Sequence, residues 1–410
     1  MRDAPGDGPP SELPGLRGRD IVCVGFADWD TDLWTNQHHL MARLARANRV
    51  LFVESLGLRQ PQLAGRDLAR IARRLRRGLA PPRAVDGLHV LSPLVLPFHR
   101  SRAVRELNAR LLPAQVRRAA RALGLRAPIL WGYVPQAEML IEALAPSLVV
   151  YHCVDDIAAH GRIDTASFRA AEERFAARAD LVLASAPALA ERMRALAGNV
   201  LYAPNVADTE LFSRALAHDE GDPPDPQMQA LPSPRIVFTG AIVALKLDFA
   251  LLAELARLRP SWSFALVGPV GPGEPDADVS VLEAEPNIHL LGARSYRQLP
   301  GVLRAADAGL IPYARNELTA SIFPMKVYEY LAAGLPVLAT PLPALEGVAE
   351  VRTAASAPEL AEQLERALAE DSPERRAQRS RAAAEHSWER RLAQVAEAVT
   401  AIERARVEAS

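Results

Sequence analysis

Short apolar runs alternate with longer amphipathic stretches along most of the chain. The stretches Asn36–Ala47 and Thr165–Arg178 have helical periodicity. The apolar runs are short and rich in β-branched residues, which predicts buried parallel strands rather than buried helices. In the first half these runs are Ile21–Gly25, Val50–Glu54, His89–Pro93, Ile129–Val134, Leu148–Val154 and Leu181–Ser185. Alternating strands and helices predict a doubly wound α/β sheet.

The alternation stops at Ala215–Pro234, a polar, proline-rich segment without periodicity, and then resumes. The later runs are Arg235–Gly240, Ser263–Gly268, Ile288–Gly292, Ala308–Pro312 and Pro336–Thr340. We therefore predict two Rossmann-like domains, one over residues 20–204 and one over 235–383, with a linker over 205–234. A crevice between such domains, at the carboxyl ends of the strands, is the expected ligand site.

The two ends of the chain are predicted to differ in order. Residues 1–19 are polar and read as a disordered tail without the apolar core of a signal peptide. Residues 384–410 belong to a charged helical stretch around Trp388, which we expect to pack across the hinge between the domains.

Composition narrows the class of protein. The chain has 410 residues, of which 49% are hydrophobic, so it can bury the cores of two domains. A net charge of -1 gives no global attraction to nucleic acid or anionic lipid. Cys23 and Cys153 lie inside apolar runs, which predicts buried thiols in strands rather than a disulfide or zinc site. No run reaches the ~18–20 apolar residues of a membrane span, so we expect a cytoplasmic protein.

The segment Asn316–Thr340 predicts a strand, a loop, a helix and another strand. Pro324 suits the first turn of the helix, where its missing N–H costs nothing. Gly334 suits the position just after the helix, and Pro336 cannot continue it. The start of this helix should therefore lie at the carboxyl edge of the sheet.

The polar residues around this helix suit a nucleotide. Free N–H groups at a helix start bind a diphosphate, and Lys326 adds a full charge. A carboxylate at Glu329 would repel phosphate, so it is better placed to accept hydrogen bonds from a ribose diol. Ser321 and Thr319 are candidates to cap the helix or to contact sugar hydroxyls. An ordinary amphipathic helix with a capping serine and an exposed Lys–Glu pair remains the alternative.

The pattern Pro-x-Lys-x-x-Glu-Tyr-Leu-Ala-x-Gly-x-Pro-Val over Pro324–Val337 resembles the signature of retaining GT-B glycosyltransferases. The resemblance is to glycosyltransferase family four (group 1-like), in a subgroup of cell-envelope polysaccharide gene sets. In that family two glutamates bracket the donor. Glu329 matches the second, which binds the ribose, while Ser321 occupies the position of the first. The resemblance covers Ile21 to about Glu397 and implies the GT-B fold, two Rossmann-like domains facing a cleft.

The same resemblance implies roles for other residues of the second half. Gly240 would let the backbone approach the donor, and Lys246 would contact its diphosphate. The arginine that often follows this glycine is absent, so Lys246 and Lys326 are expected to share the phosphate charge. Gly268 is another glycine at a strand's carboxyl edge, and Asn287–Pro300 resembles the segment beside the nucleotide base.

The first half contains candidates for the acceptor side. Asp155 and Asp156 end an apolar run that resembles the family's Tyr-x-Cys-x-Asp-Asp, so either would orient an acceptor hydroxyl or cap the next helix. His160 follows one turn later, with a surface or structural role as its alternative. Trp29 and Asn36 are acceptor-side candidates because their loop follows the first strand.

Two further patterns in the first half are weaker. Asp28 and Asp30 spell the Asp-x-Asp of metal-dependent glycosyltransferases of another fold, but they are far from the proposed phosphate site, and no essential metal or cofactor is expected. His38 and His39 are unassigned.

Arg66–Arg83 is an arginine-rich amphipathic stretch. It suits either peripheral binding to the anionic inner membrane face or a solvated basic surface. It lacks the interleaved aromatic residues that bind single-stranded nucleic acid.

The reaction implied is transfer of a sugar from a nucleoside diphosphate sugar to a hydroxyl acceptor, which would be a glycan, a lipid-linked intermediate or a small molecule. Lys246, Lys326 and the helix start would stabilise the leaving group without a metal. We see no carboxylate placed as a covalent nucleophile, so front-face retention is expected by analogy. A nucleotide-sugar epimerase, a phosphorylase and a non-catalytic nucleotide-sugar-binding protein are the alternatives, although neither acid/base residues for epimerisation nor a phosphate-dense site is evident.

Overall fold

The computed structural model describes residues 15–31, 34–55, 80–95, 102–160, 164–216, 223–271 and 278–409. These residues form two compact units. The first contains the described residues up to 204 and those from 392 onward, and the second contains those of 205–391. Each unit is built on its own sheet, as the alternation of strands and helices predicts.

The first unit has a largely parallel sheet in the order β3-β4-β2-β1-β5-β6-β7-β8. Its strands are β1 (Asp20–Val24), β2 (Arg49–Val53), β3 (Arg83–Val85), β4 (Leu88–Leu91), β5 (Ile129–Gly132), β6 (Leu148–Cys153), β7 (Leu181–Ala184) and β8 (Val200–Tyr202). Only β3 and β4 pair antiparallel. The predicted strands are confirmed. β3 and β8 were not predicted, because they are partly exposed outermost strands and lack a longer apolar run.

Helices flank this sheet. They are α1 (Asn36–Leu44), α2 (Arg102–Ala122), α3 (Ile141–Leu144), α4 (Thr165–Arg178) and α5 (Pro187–Arg194). A core of aliphatic side chains from β1, β2, β5, β6 and β7 packs against α2, α4 and α5. Cys23 in β1 and Cys153 in β6 are buried free thiols, as predicted.

The second unit has a six-stranded sheet, parallel throughout, in the order β11-β10-β9-β12-β13-β14. Its strands are β9 (Arg235–Thr239), β10 (Ser263–Val267), β11 (Ile288–Leu290), β12 (Ala308–Ile311), β13 (Val337–Ala339) and β14 (Val351–Thr353). All but β14 were predicted. The chain leaves β9 in one direction to build β10 and β11 and in the other to build β12, so the switch point of the sheet lies between β9 and β12.

The helices of this unit occupy the connections. They are α6 (Thr209–Ser213), α7 (Pro226–Gln229), α8 (Phe249–Leu258), α9 (Ser280–Glu283), α10 (Leu299–Arg304), α11 (Glu317–Ala320), α12 (Lys326–Ala332), α13 (Ala357–Ala369), α14 (Pro373–Ala383) and α15 (Trp388–Glu408). The segment 205–234, expected as a linker, contains α6 and α7 and lies within this unit. None of the helices among the described residues combines the length and apolarity needed to cross a bilayer.

Helix α15 has residues in both units. From Leu392 onward it belongs to the first unit, where Val395 and Val399 are buried. Arg406 near its end donates to the carbonyl of Ser147 at 2.9 Å and pairs with Asp180. The packing of this helix across a hinge stays a prediction.

Candidate functional site

The carboxyl ends of β9 and β12 separate at the switch point of the second sheet. β9 pairs with β12 only through Ala308–Ile236 and Gly309–Val237. On its other side β9 pairs with β10 along its whole length, up to Val267–Thr239. The separation lies at the place where doubly wound sheets bind their ligands.

Two glycines follow the strands beside this separation, and we call them the glycine edge: Gly240 after β9 and Gly268 after β10. Gly240 has a φ of 126°, which L side chains rarely adopt, and its N–H donates to the carbonyl of Val267 at 2.8 Å. A Cβ atom on Gly268 would lie 1.8 Å from the carbonyl oxygen of Gly240. Both positions therefore require glycine, Gly240 because of its positive φ and Gly268 because it packs directly on the backbone of Gly240.

Lys326 points its ammonium group at this edge. A Cβ atom on Gly240 would lie 2.9 Å from Nζ of Lys326. The ammonium also lies 5.3 Å from the ring centroid of Phe238, a cation–π distance. Among the described residues no carboxylate forms an ion pair with Lys326. A full positive charge thus stands against the backbone at the end of β9, available to an anion.

Helix α12 carries this lysine as its first residue. It begins two residues later than the sequence suggests, so the prediction that Pro324 lies in its first turn is wrong. The carbonyl of Pro324 nevertheless accepts from the N–H of Val327 at 3.2 Å, and this turn leads into the helix. The predicted end is confirmed: Gly334 has a φ of 77°, and the N–H of Leu335 closes the Schellman motif on the carbonyl of Tyr330.

Glu329 lies one turn further along α12 and is only 6% exposed. The described residues offer its carboxyl group no hydrogen bond and no ion pair. Burial raises its pKa to about 7, against an opposing effect of Lys326 and with a further rise from Asp208. The exposed Lys–Glu pair of the alternative interpretation is therefore wrong, because this carboxyl is enclosed.

Ser321 and Thr319 precede α12 but do not cap it. Ser321 is buried at the end of α11, and α12 has Met325 at its cap position without a side-chain bond. The hydroxyl of Thr319 accepts from the N–H of Asn316 at 3.1 Å and donates to the carbonyl of Ala314. Thr319 thus holds its own loop, whereas no side-chain bond among the described residues engages Ser321.

Lys246 lies in the loop between β9 and α8. The N–H of Ala314, just beyond β12, donates to the carbonyl of Lys246 at 2.8 Å. The N–H of Asp248 donates to the carbonyl of Pro312 at 2.9 Å, and the Asp248 side chain caps α8. These bonds hold the loop across the same switch point, and Lys246 is half-exposed without an ion pair in the described part of the chain.

In the first unit, Trp29 is buried beside the end of β2 and Asn36 beside the end of β5. The Trp29 N–H donates to Glu54 at 2.9 Å, and its indole donates to Asp86 at 3.1 Å. Asn36 accepts from the hydroxyl of Tyr133 at 3.0 Å. These contacts hold the loop after β1 in place and enclose both side chains.

The Asp-x-Asp pattern and the adjacent histidines have structural partners. Asp30 pairs with Arg83 at 2.8 Å. Nε2 of His38 lies 3.0 Å from the carbonyl of Asp28, and burial lowers the pKa of His38 to about 4. Across the described ranges, no cluster of three or more His, Cys, Asp or Glu side chains is arranged to hold a metal ion.

Asp156 belongs to a partly buried ionic network around Glu172 that the sequence did not reveal. Arg169 of α4 donates to Asp156 at 2.5 Å and to Glu172 at 3.1 Å, and Glu172 also pairs with Arg192. The hydroxyl of Tyr151 donates to Glu172 at 2.7 Å. The three-residue spacing of Arg169 and Glu172 could have predicted their ion pair, because residues three apart on a helix are neighbours.

The remaining candidates of this half are Asp155, His160 and the stretch Arg66–Arg83. Asp155 accepts through its carbonyl from the N–H of Ile157 at 3.0 Å, and His160 ends the short 3-10 helix that follows. Residues 66–79 of the proposed membrane-binding stretch Arg66–Arg83 lie outside the described residues. Arg83 itself pairs with Asp30 and Glu54.

Comparison with known proteins identifies related sequences for part of the chain. Residues 233–370 match the family model described as glycosyl transferases group 1. The putative teichuronic acid biosynthesis glycosyltransferase TuaH of Bacillus subtilis (strain 168) is 31% identical over 228 residues. That match covers 52% of this chain and 55% of TuaH, so the chain spans about half the length of this relative.

Solved structures share the fold over nearly the whole chain. Anabaena HepE, crystallised with UDP and glucose, is 17% identical with a TM-score of 0.62, covering 93% of this chain and 99% of HepE. The α,α-trehalose 6-phosphate synthase of Burkholderia multivorans is 12% identical with a TM-score of 0.65, covering 95% and 99%. These likenesses confirm the predicted fold class of two Rossmann-like sheets, that of the GT-B enzymes. Residues 233–370, which contain the glycine edge and Lys326, thus resemble a glycosyltransferase group 1 domain.

Proposed function

We propose that the protein transfers a sugar from a nucleoside diphosphate sugar to a hydroxyl group. The observation that carries this proposal is Lys326, whose ammonium has no ion pair in the described part of the chain and is held against Gly240 at the switch point of the second sheet. Glycine backbone and a fixed cation at that place suit a diphosphate. The match of residues 233–370 to a glycosyltransferase model supports the same assignment.

The remaining donor contacts follow from this placement. Lys246, tied across the switch point, would supply a second cation. Glu329 would accept hydrogen bonds from the ribose diol, which replaces the partners that its buried carboxyl lacks. Ser321 and Pro324 would line the same pocket, beside the sugar.

In the reaction, the acceptor oxygen forms a bond to the anomeric carbon while the bond from that carbon to the diphosphate oxygen breaks, and the proton of the acceptor hydroxyl passes to the departing diphosphate. The negative charge then grows on the diphosphate, where Lys326 and Lys246 stabilise it without a metal. Retention of configuration and membership of family four are proposed from the signature at Pro324–Val337. The family model and the named relative do not favour the epimerase or the non-catalytic alternative.

The finer substrate assignments rest on the relatives. HepE was crystallised with UDP and glucose, so a UDP-sugar is the first donor to test. TuaH is named for teichuronic acid biosynthesis, which suggests a cell-envelope glycan or its lipid-linked precursor as acceptor, made at the cytoplasmic membrane face. Asp155, Asp156, Trp29, Asn36 and His160 remain proposed on the acceptor side, although the partners of Asp156, Trp29 and Asn36 give these residues structural roles as well.

The test is release of nucleoside diphosphate from UDP-, GDP- and dTDP-sugars in the presence of alkyl glycosides as hydroxyl acceptors. We expect turnover of at least one donor by the wild-type chain and at least a hundredfold slower turnover by Lys326→Met, because one donor to a developing anion is worth about 10²–10³ in rate. Arg366→Met, an exposed cation of α13, is the matched control and should keep full activity. Equal rates in wild type and Lys326→Met would contradict the proposal.

A further inference from the structure

Tyr330 occupies the gap between β9 and β12. Ladder pairing between these strands ends at Gly309–Val237, so the N–H of Thr239 has no carbonyl of β12 to bond. The hydroxyl of Tyr330 accepts from that N–H at 2.8 Å and lies 3.2 Å from the hydroxyl of Thr239. A side chain from α12 thus takes the place of the neighbouring strand.

The ring of Tyr330 is fixed as firmly as its hydroxyl. The side chain is fully buried, and a Cβ atom on Gly309 would lie 2.3 Å from its Cδ2 atom. Gly309 belongs to the last residue pair before the strands separate. The ring therefore rests on β12 while the hydroxyl holds β9, and the two strands remain apart.

Tyr330 also shares its helix with the groups assigned to the donor. Lys326 is four residues earlier on the same face of α12, and Glu329 is the preceding residue. Thr239, which the hydroxyl holds, directly precedes Gly240. The bond between Tyr330 and Thr239 therefore sets the position of Gly240, at the end of β9, relative to Lys326.

We propose that Tyr330 is a positioning residue for the donor diphosphate, whose hydroxyl keeps β9 and β12 apart and holds Gly240 opposite Lys326. This proposal rests on the proposed function, because it assumes that a diphosphate binds at the glycine edge. The proposal predicts that the hydroxyl of Tyr330 contributes to the affinity for the diphosphate and not to the affinity for the nucleoside.

Tyr330→Phe tests the proposal because it removes the hydroxyl and leaves the ring on Gly309. Titration calorimetry of the full chain with UDP and uridine, and likewise with the GDP and dTDP pairs, would give both affinities. We expect a loss of about tenfold for the diphosphate, since the end of β9 is no longer held and Gly240 is no longer fixed opposite Lys326. The affinity for the free nucleoside should stay within twofold of wild type.

A matched control separates positioning from stability. Tyr151→Phe in the first unit also deletes a buried tyrosine hydroxyl, the one that donates to Glu172, and should leave the diphosphate affinity unchanged. Thr239→Val is a milder variant that removes the 3.2 Å contact while keeping the backbone N–H, and it should give a smaller loss confined to the diphosphate.

The outcomes are distinguishable. If wild type binds none of the nucleoside diphosphates, the proposed function fails and Tyr330 has no donor to position. If wild type binds one of them but Tyr330→Phe binds it equally well, the positioning role is overturned while the function stands. A parallel fall in nucleoside and diphosphate affinity would also overturn it, because the effect would then be general loss of structure.

Discussion

The burial of Glu329 lowers the stability of the folded chain. Its carboxyl is buried without a hydrogen bond in the described structure, close to Asp208. A buried charge of this kind destabilises a protein unless it is paired. Such groups concentrate in functional sites, where stability is sacrificed for binding. The ribose diol of a donor is the partner that would compensate the cost.

The raised pKa of Glu329 predicts a pH-dependent stability. Between its ordinary value of 4.5 and its folded value of about 7, the folded chain holds a proton that the unfolded chain has lost. Stability therefore falls as the pH rises through this window. Glu329→Gln removes the effect, so it should be more stable than wild type by about 3 kcal/mol at pH 8, and equally stable near pH 4.5.

Thermal unfolding from pH 4.5 to 8 measures this difference, and Glu362→Gln on an exposed face of α13 is the control. We expect the control to follow wild type at every pH. A Glu329→Gln variant that melts below wild type at pH 8 would mean that the carboxylate is stabilised by partners in the folded chain. Glu329→Gln should also bind nucleotide more weakly, so the carboxylate would lower stability while it contributes to nucleotide binding.

At the scale of the element, the loop after β9 depends on the glycine edge. Gly240 combines a φ of 126° with the close approach of Lys326, and Gly268 fits only because it lacks a Cβ atom. The two features have different costs. Strain at a positive φ lowers folding stability by about 1–3 kcal/mol wherever it occurs. Displacement of the Lys326 ammonium would lower only the affinity for the donor.

Gly240→Ala against Gly347→Ala separates these two costs. Both glycines have positive φ, but a Cβ atom on Gly347 meets nothing within 4 Å. Both variants should lose stability to a similar extent in chemical denaturation. Only Gly240→Ala should also lose nucleotide affinity, by about tenfold, because its methyl group displaces Nζ of Lys326. Equal affinities in the two variants would show that Lys326 does not need this position.

The elements also show where sequence patterns succeed. Buried central strands and the Gly334 helix end were predictable because each depends on local periodicity or on one residue type. The burial of Glu329 was not, because a Lys–Glu pair three residues apart looks the same on a solvated helix. The position of Tyr330 depends on its contacts with Thr239 in β9 and Gly309 in β12. These two strands are distant from each other in sequence, so no local pattern encodes the contacts. The network around Glu172 was missed for the same reason.

At the scale of the whole molecule, two units of similar design differ in what their switch points hold. In the first unit the residues at the ends of β1 and β5 bond to one another, as with Tyr133 and Asn36. In the second unit Tyr330 fills the space between the ends of β9 and β12, and Lys326, which has no ion pair among the described residues, lies against Gly240. This contrast supports the proposal that the second unit binds the donor, and the glycosyltransferase match lies in the same unit.

We propose that Lys326 and the glycine edge bind a nucleoside diphosphate. Titration calorimetry of the full chain with UDP, GDP and dTDP, for wild type, Lys326→Met and Arg366→Met, tests it most directly. We predict that wild type and Arg366→Met bind one of these nucleotides with equal affinity, and that Lys326→Met binds it at least tenfold more weakly through loss of a charge-assisted contact. Binding that survives unchanged in Lys326→Met would contradict the account.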